Sequence, residues 1–549
     1  MTETAPRKSL ARRVMRAGIA VGIAHLLFKL AGLVQAWAMA RFLPAEVYDA
    51  SYVVAFEGVI FSLFLIGEES LAPACLPTFM SELDNVGERA AWRFASTLLV
   101  LQGLVLLAVV AVLVAFPGWI TRIWTHWSEA THPEAFTLAA SSVRRMAPGL
   151  IGLSLGSTTY VLLNAYKRFF LAAAGDALWK FVVAGALIAG MGLLGLGVEV
   201  LIWGIVAGSV LKLLTHLYGL RDKLHLLRPA IDLRHPALRR MLWLALPLLV
   251  GIIVAKLRDN INNVYLLSKL DSAGLMQANS MGRKLQASIH FLVPYSLSIA
   301  VFPFFCELVD RDDREQLGAF ITRSGRHLLA IFLPFACIVA ALSLPLTDLL
   351  FAGGRFDNVA VQRTAVSMAC YTFMLPAAAI EALLMQAFFA NRRMVAVTVV
   401  GIVFSSLSML ISWMGLHWWG GRHLLVLGTI AGGVALTRAL KSWVLVLLLG
   451  RKVPVFPLAS TLGFLVRLTL VSVAAGFAAW AAARLGADLL GAAVGNRIAD
   501  LVQLAAGGIA ALVVGGAAAA LLRLGEPQEL LQLVWRARAR KRAAGGAGE

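Results

Sequence analysis

The chain has 549 residues, of which 60% are hydrophobic and only 14% are charged, and its formal net charge is +19. Its mean hydropathy of +0.80 excludes one oversized soluble core, because soluble cores stop growing near about 250–300 residues. Most of the surface is therefore expected to face a bilayer.

Apolar runs long enough to cross a bilayer, at least about 18–20 residues each, recur along the whole chain. They predict an all-α polytopic membrane protein with about fourteen transmembrane helices and short connections. The runs are too long and too rich in Leu and Ala to favour a β-barrel, whose strands are shorter and alternate in polarity. The predicted spans are 14–42, 46–80, 90–116, 136–165, 168–194, 197–220, 238–267, 272–306, 322–346, 360–390, 393–416, 422–449, 457–484 and 498–523.

The first two predicted helices carry charges within apolar sequence. Helix 1 contains Lys29 and follows a basic tail without a cleavable signal. Helix 2 contains four acids, namely Asp49, Glu57, Glu68 and Glu69. An ionisable group at the bilayer centre costs at least about 2.5–3.5 kcal/mol, so it normally faces a cavity or a partner.

Later helices add more charges of this kind. In helix 5, Asp176 and Lys180 are four residues apart on one face and predict an ion pair. Helices 7 and 8 carry a cluster of cations with one acid, namely Lys256, Arg258, Asp259, Arg283 and Lys284. Polar asparagines follow this acid in helix 7.

Lys29 and the four cations of helices 7 and 8 belong to the first two helices of a predicted lobe, so they predict a cationic cleft. Such a cleft suits a pyrophosphate, which Arg grips with a planar fork and Lys as a point charge. Glu68 and Glu69 are expected to pair with these cations when substrate is absent, or to bind a coupling cation or proton. Alternatively, charges near helix ends reach water by snorkelling.

Basic residues are concentrated on alternate connections, whereas the intervening loops are poor in them. This positive-inside pattern predicts that both termini are cytoplasmic and that the number of helices is even. It favours contact with anionic headgroups over nucleic-acid binding. Basic positions on the cytoplasmic side include Arg12, Arg13, Lys167, Arg168, Arg221, Lys223, Arg239, Arg240, Arg392, Arg393, Arg540 and Lys541.

Prolines and their neighbours predict an internal repeat. Pro77 matches Pro303 and Pro148 matches Pro376, at offsets of 226 and 228 residues. Six helices separate each pair, so the copies form a parallel repeat, and the four prolines are candidate hinges. The predicted divisions are a tail 1–16, an N-lobe 17–220, a basic linker 221–240, a C-lobe 241–449, two further helices 450–524 and a basic tail 525–549.

The sequence lacks the patterns of catalysis and of cofactor binding. It contains no paired-histidine helix motif, phosphate-cradling glycine loop or nucleophile elbow, so we expect a protein that is not an enzyme. Its four cysteines have no metal-ligand spacing and are expected to be buried free thiols. We therefore expect no metal, no catalytic residue and no bound cofactor.

Several segments together resemble one family. They are Ala40–Pro44, Asp49–Phe56, Glu68 with Leu76 and Pro77, Leu163–Asn164 with Arg168–Phe169, Leu350–Asp357, and Ala387–Ala390. The chain resembles the lipid II flippase family (MurJ/MviN type) of the multidrug/oligosaccharidyl-lipid/polysaccharide exporter superfamily. The resemblance implies fourteen helices in two six-helix lobes, with helices 13–14 forming a groove for a lipid tail. The substrate it implies is an undecaprenyl-pyrophosphate-linked peptidoglycan precursor.

Some charged positions match the family and others depart from it. Lys29 falls on a family arginine, Asp49 and Glu68 fall on family acids, and Lys284 falls on the arginine of an Asp-Arg pair. The departures are Gln35 and Phe61–Ile66 in place of arginines, Arg283 in place of an aspartate, Met394–Ala396 in place of Thr-Pro, and the additions Arg258 and Asp259.

These observations predict a flippase of the bacterial inner membrane that carries an isoprenoid-pyrophosphate-linked saccharide by alternating access. Coupling to Na⁺, to H⁺ or to the membrane potential stays open. The alternatives are an exporter of capsule, O-antigen or spore-coat oligosaccharide, a cation-coupled drug exporter, and a non-transporting scaffold for wall synthesis. Expected partners are the lipid-linked substrate and membrane lipids, with no nucleic acid; cell-wall synthesis proteins are a further candidate.

Overall fold

The computed structural model describes residues 27–228, 231–290, 304–309, 311–391, 394–490 and 496–526. Every regular element in these ranges is helical, which confirms the predicted all-α fold. The helices are α1 (27–42), α2 (Ala45–Asn85), α3 (Glu88–Ala115), α4 (Pro117–Trp124), α5 (Pro133–Met146), α6 (Gly149–Ala165), α7 (Phe169–Leu193), α8 (Glu199–Gly219), α9 (Pro236–Asn260), α10 (Leu275–His290), α11 (304–309), α12 (Arg314–Ala341), α13 (Ser343–Phe351), α14 (Asn358–Thr372), α15 (Met374–Ala390), α16 (Met394–Trp419), α17 (His423–Gly450), α18 (Leu458–Leu490) and α19 (Asn496–Leu521).

Ten helices in these ranges are long and apolar enough to cross a membrane, and the number rises to as many as twelve if each of two bent pairs is one span. In the first bent pair α5 and α6 meet at 48°, and the second bend, of 42°, lies within α9 and its continuation. The predicted helices 14–42 and 272–306 lie only partly within the described residues. A total of fourteen is consistent with the structure and stays a prediction.

The four candidate hinge prolines lie in different settings. Pro77 is inside α2, and Pro148 is the residue at the 48° bend before α6. Pro376 lies in the first turn of α15, close to the break between α14 and α15. Pro303 lies outside the described residues. A proline at the bend is the expected cause of a kink, and motion about any of these positions stays a prediction.

The first compact unit comprises residues 1–277 together with Gly353–Asp357. Its core is built where α2, α3 and α6 pack, with large buried side chains such as Phe79, Trp92 and Phe94. Helix α9 packs against α2 and belongs to this unit. The compact units therefore divide at Gln277, whereas the predicted lobes divide within the linker 221–240; the lobe boundaries stay a prediction.

The loop ends of the first unit hold a network of polar contacts. Arg168 donates hydrogen bonds of 2.6 Å to both carboxylate oxygens of Asp222, and these bonds lower the pKa of Asp222 to about 2. Nearby, Trp92 donates to the Tyr166 hydroxyl, which in turn donates to Glu88. Burial, followed by the bond to Glu88, raises the pKa of Tyr166 above its ordinary value. These contacts fix the connection after α6 to the one after α8.

The second compact unit comprises Ala278–Ala352 and Asn358–Glu549. Its main core brings together α12, α15 and α17 around side chains such as Phe332, Phe388 and Leu445. Helix α12 begins at a side-chain cap, because Asp313 accepts a hydrogen bond from the Gln316 amide at 3.0 Å. Helices α18 and α19 pack on each other and on α12 through smaller apolar clusters.

The cysteines are free in the structure, as the sequence predicts. Cys75 is fully buried, whereas Cys306, Cys337 and Cys370 are half-buried. Within the described part of the chain, no group of three or more His, Cys, Asp or Glu side chains is arranged to hold a metal ion.

Candidate functional site

The predicted cleft cations lie in both compact units. Lys29 on α1, and Lys256 and Arg258 on α9, belong to the first unit, whereas Arg283 and Lys284 on α10 belong to the second. Each of these side chains is half-buried. Half-burial suits a charge that faces an aqueous or polar space rather than hydrocarbon. A common cleft formed by these side chains stays a prediction.

Lys256 has an acidic partner on a neighbouring helix. Its Nζ lies 2.8 Å from Oε1 of Glu69 on α2, and the acid is the more exposed of the two side chains. The pair holds α9 against α2 and keeps one cation next to one of the predicted acids. An anionic ligand that binds Lys256 would have to displace Glu69 or share the ammonium group with it.

Arg258 contacts the acid that follows it in sequence. Both its Nε, at 3.0 Å, and its Nη2, at 2.6 Å, donate to Oδ1 of Asp259. Both side chains are about one-third exposed or less. A phosphate that binds Arg258 would compete with Asp259 for the guanidinium, whose planar fork matches phosphate oxygens.

Asp49 is a buried helix cap. Its side chain, in a residue only 4% exposed, accepts hydrogen bonds from the backbone N–H groups of Gly274, at 2.7 Å, and Gln277, at 2.6 Å. Gln277 lies in the first turn of α10, where backbone N–H groups have no partner within the helix. The structure therefore gives Asp49 a positioning role, and its predicted part in gating or coupling stays a prediction. Glu57, also on α2, is half-buried.

Glu68 belongs to a polar cluster inside the first unit. It lies near Ser157 on α6, Asp176 on α7 and Lys212 on α8. The Lys212 Nζ contacts Oδ1 of Asp176 at 2.7 Å, and the Lys212 side chain is only 2% exposed. Gly156 allows this approach, since a Cβ there would lie 3.0 Å from Cε of Lys212.

His216 completes this cluster one turn after Lys212. Its Nδ1 lies 2.8 Å from the Gly156 carbonyl oxygen and its Nε2 lies 2.9 Å from that of Ala172. Carbonyl oxygens only accept hydrogen bonds, and a neutral imidazole carries a single N–H. Only one of the two contacts is thus a hydrogen bond when His216 is neutral, and both become hydrogen bonds when the ring gains a proton.

The partner of Asp176 differs from the sequence-based prediction. The predicted pair was Asp176 with Lys180, but the structure places the ammonium of Lys212 on Asp176. The Lys180 Nζ instead lies 3.4 Å from the ring centroid of Phe28 on α1. The signal for Lys212 was present, because it is a charge within the apolar span 197–220. Which helix packs beside Asp176 could not be derived from spacing along one helix.

The second unit contains a charge cluster that sequence reasoning missed. Arg438 Nε and Lys441 Nζ, both on α17, contact separate oxygens of Glu381 on α15 at 2.8 and 2.6 Å. All three side chains are largely buried. Each is a charge in a predicted transmembrane helix, which is a signal that the sequence does provide. Two cations on one carboxylate leave an excess positive charge between these helices.

The glycine-rich loop 353–357 packs on α1 as part of the first unit. The Arg355 amide donates to the Arg41 carbonyl oxygen at 3.1 Å. Gly353 and Gly354 have φ of +108° and +66°, which favours glycine, and their Cα atoms face Arg41 with no room for a side chain. The loop 353–357, which lies in the segment Leu350–Asp357 that resembles the family, is therefore a positioning loop.

Comparison with known proteins identifies relatives of this chain. The family model described as lipid II flippase MurJ matches residues 39–492. The lipid II flippase MurJ of Burkholderia cenocepacia is 26% identical over 385 residues, which is 69% of this chain and 74% of that protein. A probable lipid II flippase MurJ of Bdellovibrio bacteriovorus is 25% identical over 434 residues, which is 76% of this chain and 80% of that protein.

Solved structures share the fold. A structure of lipid II flippase MurJ in an inward closed conformation has a TM-score of 0.68 at 18% identity and covers 92% of this chain and 99% of its own. An inward-facing multidrug resistance transporter of the MATE family and MOP superfamily has a TM-score of 0.64 at 14% identity, with 79% and 98% covered. These likenesses confirm the fold, and the family model confirms the resemblance drawn from sequence. Because the family model spans most of the chain, this multi-pass membrane protein belongs to the lipid II flippase MurJ family.

Proposed function

We propose that the protein moves an isoprenoid-pyrophosphate-linked saccharide, lipid II or a similar peptidoglycan precursor, from the inner to the outer leaflet by alternating access. The observation that carries this proposal is the family match across residues 39–492. The two predicted lobes, 17–220 and 241–449, rock about the cargo, and helices α18 and α19 accommodate its lipid tail. The step is transport and involves no covalent chemistry.

The membrane and the orientation are part of the same proposal. The protein lies in the bacterial cytoplasmic membrane with both termini in the cytoplasm, since loops rich in Lys and Arg remain on that side. The named relatives are bacterial. Tagging each end of the chain with a reporter that is active on one side only tests this orientation, and an external signal from either end contradicts it.

Arg258, Lys29 and Lys284 are the proposed pyrophosphate contacts. Arg258 is a guanidinium whose side chain is 27% exposed beside Asp259, and the other two are half-buried ammonium groups. A hydrogen bond to a charged group contributes about 1.5–3 kcal/mol, so the loss of one contact should weaken binding by about tenfold or more.

The test compares two neutral substitutions at one pair. Arg258→Gln should weaken binding of undecaprenyl pyrophosphate to the purified protein and reduce rescue of cells depleted of their resident lipid II flippase. Asp259→Asn removes the acidic partner of Arg258 and should retain binding. Equal losses in both variants would mean that the pair is only structural. Undecaprenol, which lacks the pyrophosphate, serves as the ligand control. Equally tight binding of undecaprenol would contradict binding of the pyrophosphate by cationic side chains.

The same experiment addresses the nearest alternative cargo. A related exporter would carry another lipid-linked oligosaccharide, such as a capsule or O-antigen precursor. No rescue by the native chain, combined with loss of a surface polysaccharide when its gene is deleted, would favour that alternative. The scaffold alternative predicts that the terminal basic tails, 1–16 and 525–549, are essential and that the Arg258 substitution is silent.

For coupling, we propose that the cluster of Glu68, Asp176, Lys212 and His216 carries one proton during the cycle. With a neutral imidazole, two carboxylates face one ammonium group, so the cluster holds one uncompensated negative charge in a membrane-embedded setting. One bound proton, on a carboxyl group or on His216, neutralises this negative charge. Tyr160 and Glu69 are the other titratable groups that face this cluster.

A transport assay in vesicles separates the candidate coupling ions. An inward-to-outward proton gradient should alter the rate of the native protein, and Glu68→Gln should abolish that dependence. Glu46→Gln is the matched control, since Glu46 is exposed at the start of α2. A rate that follows the Na⁺ gradient at constant pH, and is indifferent to Glu68→Gln, would rule out this coupling site.

A further inference from the structure

A basic cavity lies in the second unit, and none of the proposed pyrophosphate contacts lines it. Its volume is about 720 Å³, and its walls come from α12, from the segment before α18, from α18 itself and from the end of α19. Ligand pockets in proteins commonly have volumes of about 300–1,000 Å³. The cavity is therefore large enough for a polar headgroup.

The lining of this cavity is strongly cationic. Four arginines contribute to it, together with His327. Two acids, Glu315 and Glu526, line it as well, so the lining has an excess of two positive charges when the histidine is neutral. The arginines are Arg323, Arg326, Arg467 and Arg523. Basic pockets between the ends of transmembrane helices are suited to phosphate-bearing lipid headgroups.

Two of the arginines are held in place by contacts that leave donors available. Nη2 of Arg326 donates to the Ser460 hydroxyl at 2.8 Å, and its guanidinium lies 5.5 Å from the ring centroid of Phe464. The Arg326 Nε is buried and has no hydrogen-bond partner among the described residues. Arg467 donates to the carbonyl oxygens of Gly463 and Leu522. A preorganised guanidinium loses little entropy when it binds phosphate.

Arg523 occupies a backbone conformation that favours glycine. Its φ is +51°, at the position after α19 where helices commonly end with a glycine. The Leu524 amide bonds to the Ala519 carbonyl oxygen and the Arg523 amide to that of Ala520, which is the Schellman pattern. Leu524 packs against Phe464. The chain thus holds an arginine side chain at the cavity where glycine would be less strained.

The helix that lines the cavity also carries exposed apolar side chains. Leu470 lies three residues after Arg467, so the two are neighbours on the surface of α18, and Leu470 is 56% exposed. In a membrane protein such a surface faces acyl chains. A ligand that fits both surfaces has a phosphate and hydrocarbon chains, which distinguishes it from a nucleotide or a nucleic acid.

We propose that this cavity binds the phosphate of an anionic phospholipid headgroup, with the acyl chains of that lipid lying along α18. Arg326, Arg467 and Arg523 donate to the phosphate oxygens. The site is distinct from the proposed pyrophosphate contacts, because none of Lys29, Arg258 and Lys284 lines it. The lipid is a bound membrane component and is not transported.

The test uses the full chain purified in a neutral detergent. Phosphatidylglycerol is titrated while native mass spectrometry counts bound lipid and the thermal unfolding midpoint is followed. Arg467→Ala and Arg523→Gly should each weaken phosphatidylglycerol binding by about tenfold. Arg523→Gly should at the same time raise the unfolding midpoint in the absence of lipid, since glycine relieves the positive φ. A loss of affinity in this variant therefore cannot be attributed to misfolding.

The controls distinguish the sources of phosphate. The double variant Arg451→Ala/Lys452→Ala removes two exposed charges of the same unit that do not line the cavity, and it should bind phosphatidylglycerol like the native chain. Unchanged affinity in both cavity variants would overturn the site. If phosphatidylcholine, which has no net charge, binds as tightly as phosphatidylglycerol, the cavity does not recognise the negative charge of the lipid. Equal stabilisation by inorganic phosphate, lost in the same variants, would mean that the ligand is free phosphate and not a lipid.

Discussion

Removal of Lys212 should destabilise the protein more than any other single change in its polar cluster. The side chain is 2% exposed and its Nζ lies 2.7 Å from Asp176, with Glu68 close by. Removing one partner of a buried ion pair costs about 3–5 kcal/mol, because the remaining charge is left uncompensated. Lys212→Met leaves two carboxylates in that state, so its cost should lie in the upper part of this range.

The partner substitution should be milder. Asp176→Asn leaves Lys212 with Glu68 as an acidic neighbour, so we expect less than half of the cost of Lys212→Met. The double variant should be more stable than Lys212→Met alone, because one uncompensated carboxylate has also been removed. Lower pH should reduce the cost of Lys212→Met, since protonation neutralises the carboxylates.

Equilibrium unfolding of the purified protein in mixed micelles measures these free energies. The double-mutant cycle should give a coupling energy well above the error of about 0.3–0.5 kcal/mol within which distant sites add. Equal costs for the two single variants, with no coupling, would refute the claim that Lys212 interacts with both acids. A cost of Lys212→Met that does not change with pH would refute it as well.

Three further predictions concern packing, capping and a loop. Gly152→Ala should lower the thermal midpoint of the purified protein, because its Cβ would lie 2.7 Å from backbone atoms of α8, whereas Gly185→Ala, with nothing within 4 Å, should be neutral or stabilising. Asp49→Ala should lower the free energy of unfolding by about 1–3 kcal/mol in the same micelle assay, since buried N–H groups lose their acceptor. A change below about 0.5 kcal/mol would contradict the role of Asp49 as a helix cap. Asp222, with its pKa of about 2, should protect its loop from trypsin equally between pH 5 and 8. The stability from this lowered pKa is present above about pH 4 and is lost as the pH falls towards 2, and Asp222→Asn should expose the loop at pH 7.

The helices could be predicted from sequence because their cause is local. Each long apolar run has to satisfy its backbone groups internally in a bilayer, and the ends of the runs mark the ends of the helices. The predicted spans 90–116 and 168–194 correspond closely to Glu88–Ala115 and Phe169–Leu193. The short helix α4 lies within a stretch that we assigned to a loop, since eight residues with one charge are too short to give a membrane signal.

The pairing of charges could not be predicted, because it depends on which helices are neighbours. Spacing along helix 5 indicated Asp176 with Lys180, yet the ammonium that reaches Asp176 comes from another helix. Asp49 shows the same limit: its acidic type suggested gating, whereas the backbone amides that it caps are more than 200 residues away in sequence. Residue type identifies a charge that needs a partner, and only the packed structure identifies the partner.

The loop 353–357 has a consequence for how the chain is made. The first compact unit closes only when these five residues reach Arg41, and residues 278–352 are translated in between. At about 5–20 residues per second, the ribosome needs about 4–15 seconds to synthesise that insertion. A truncated chain that ends at Gln277 is thus an unfinished domain, and the two units are interleaved products of one translation rather than independent modules.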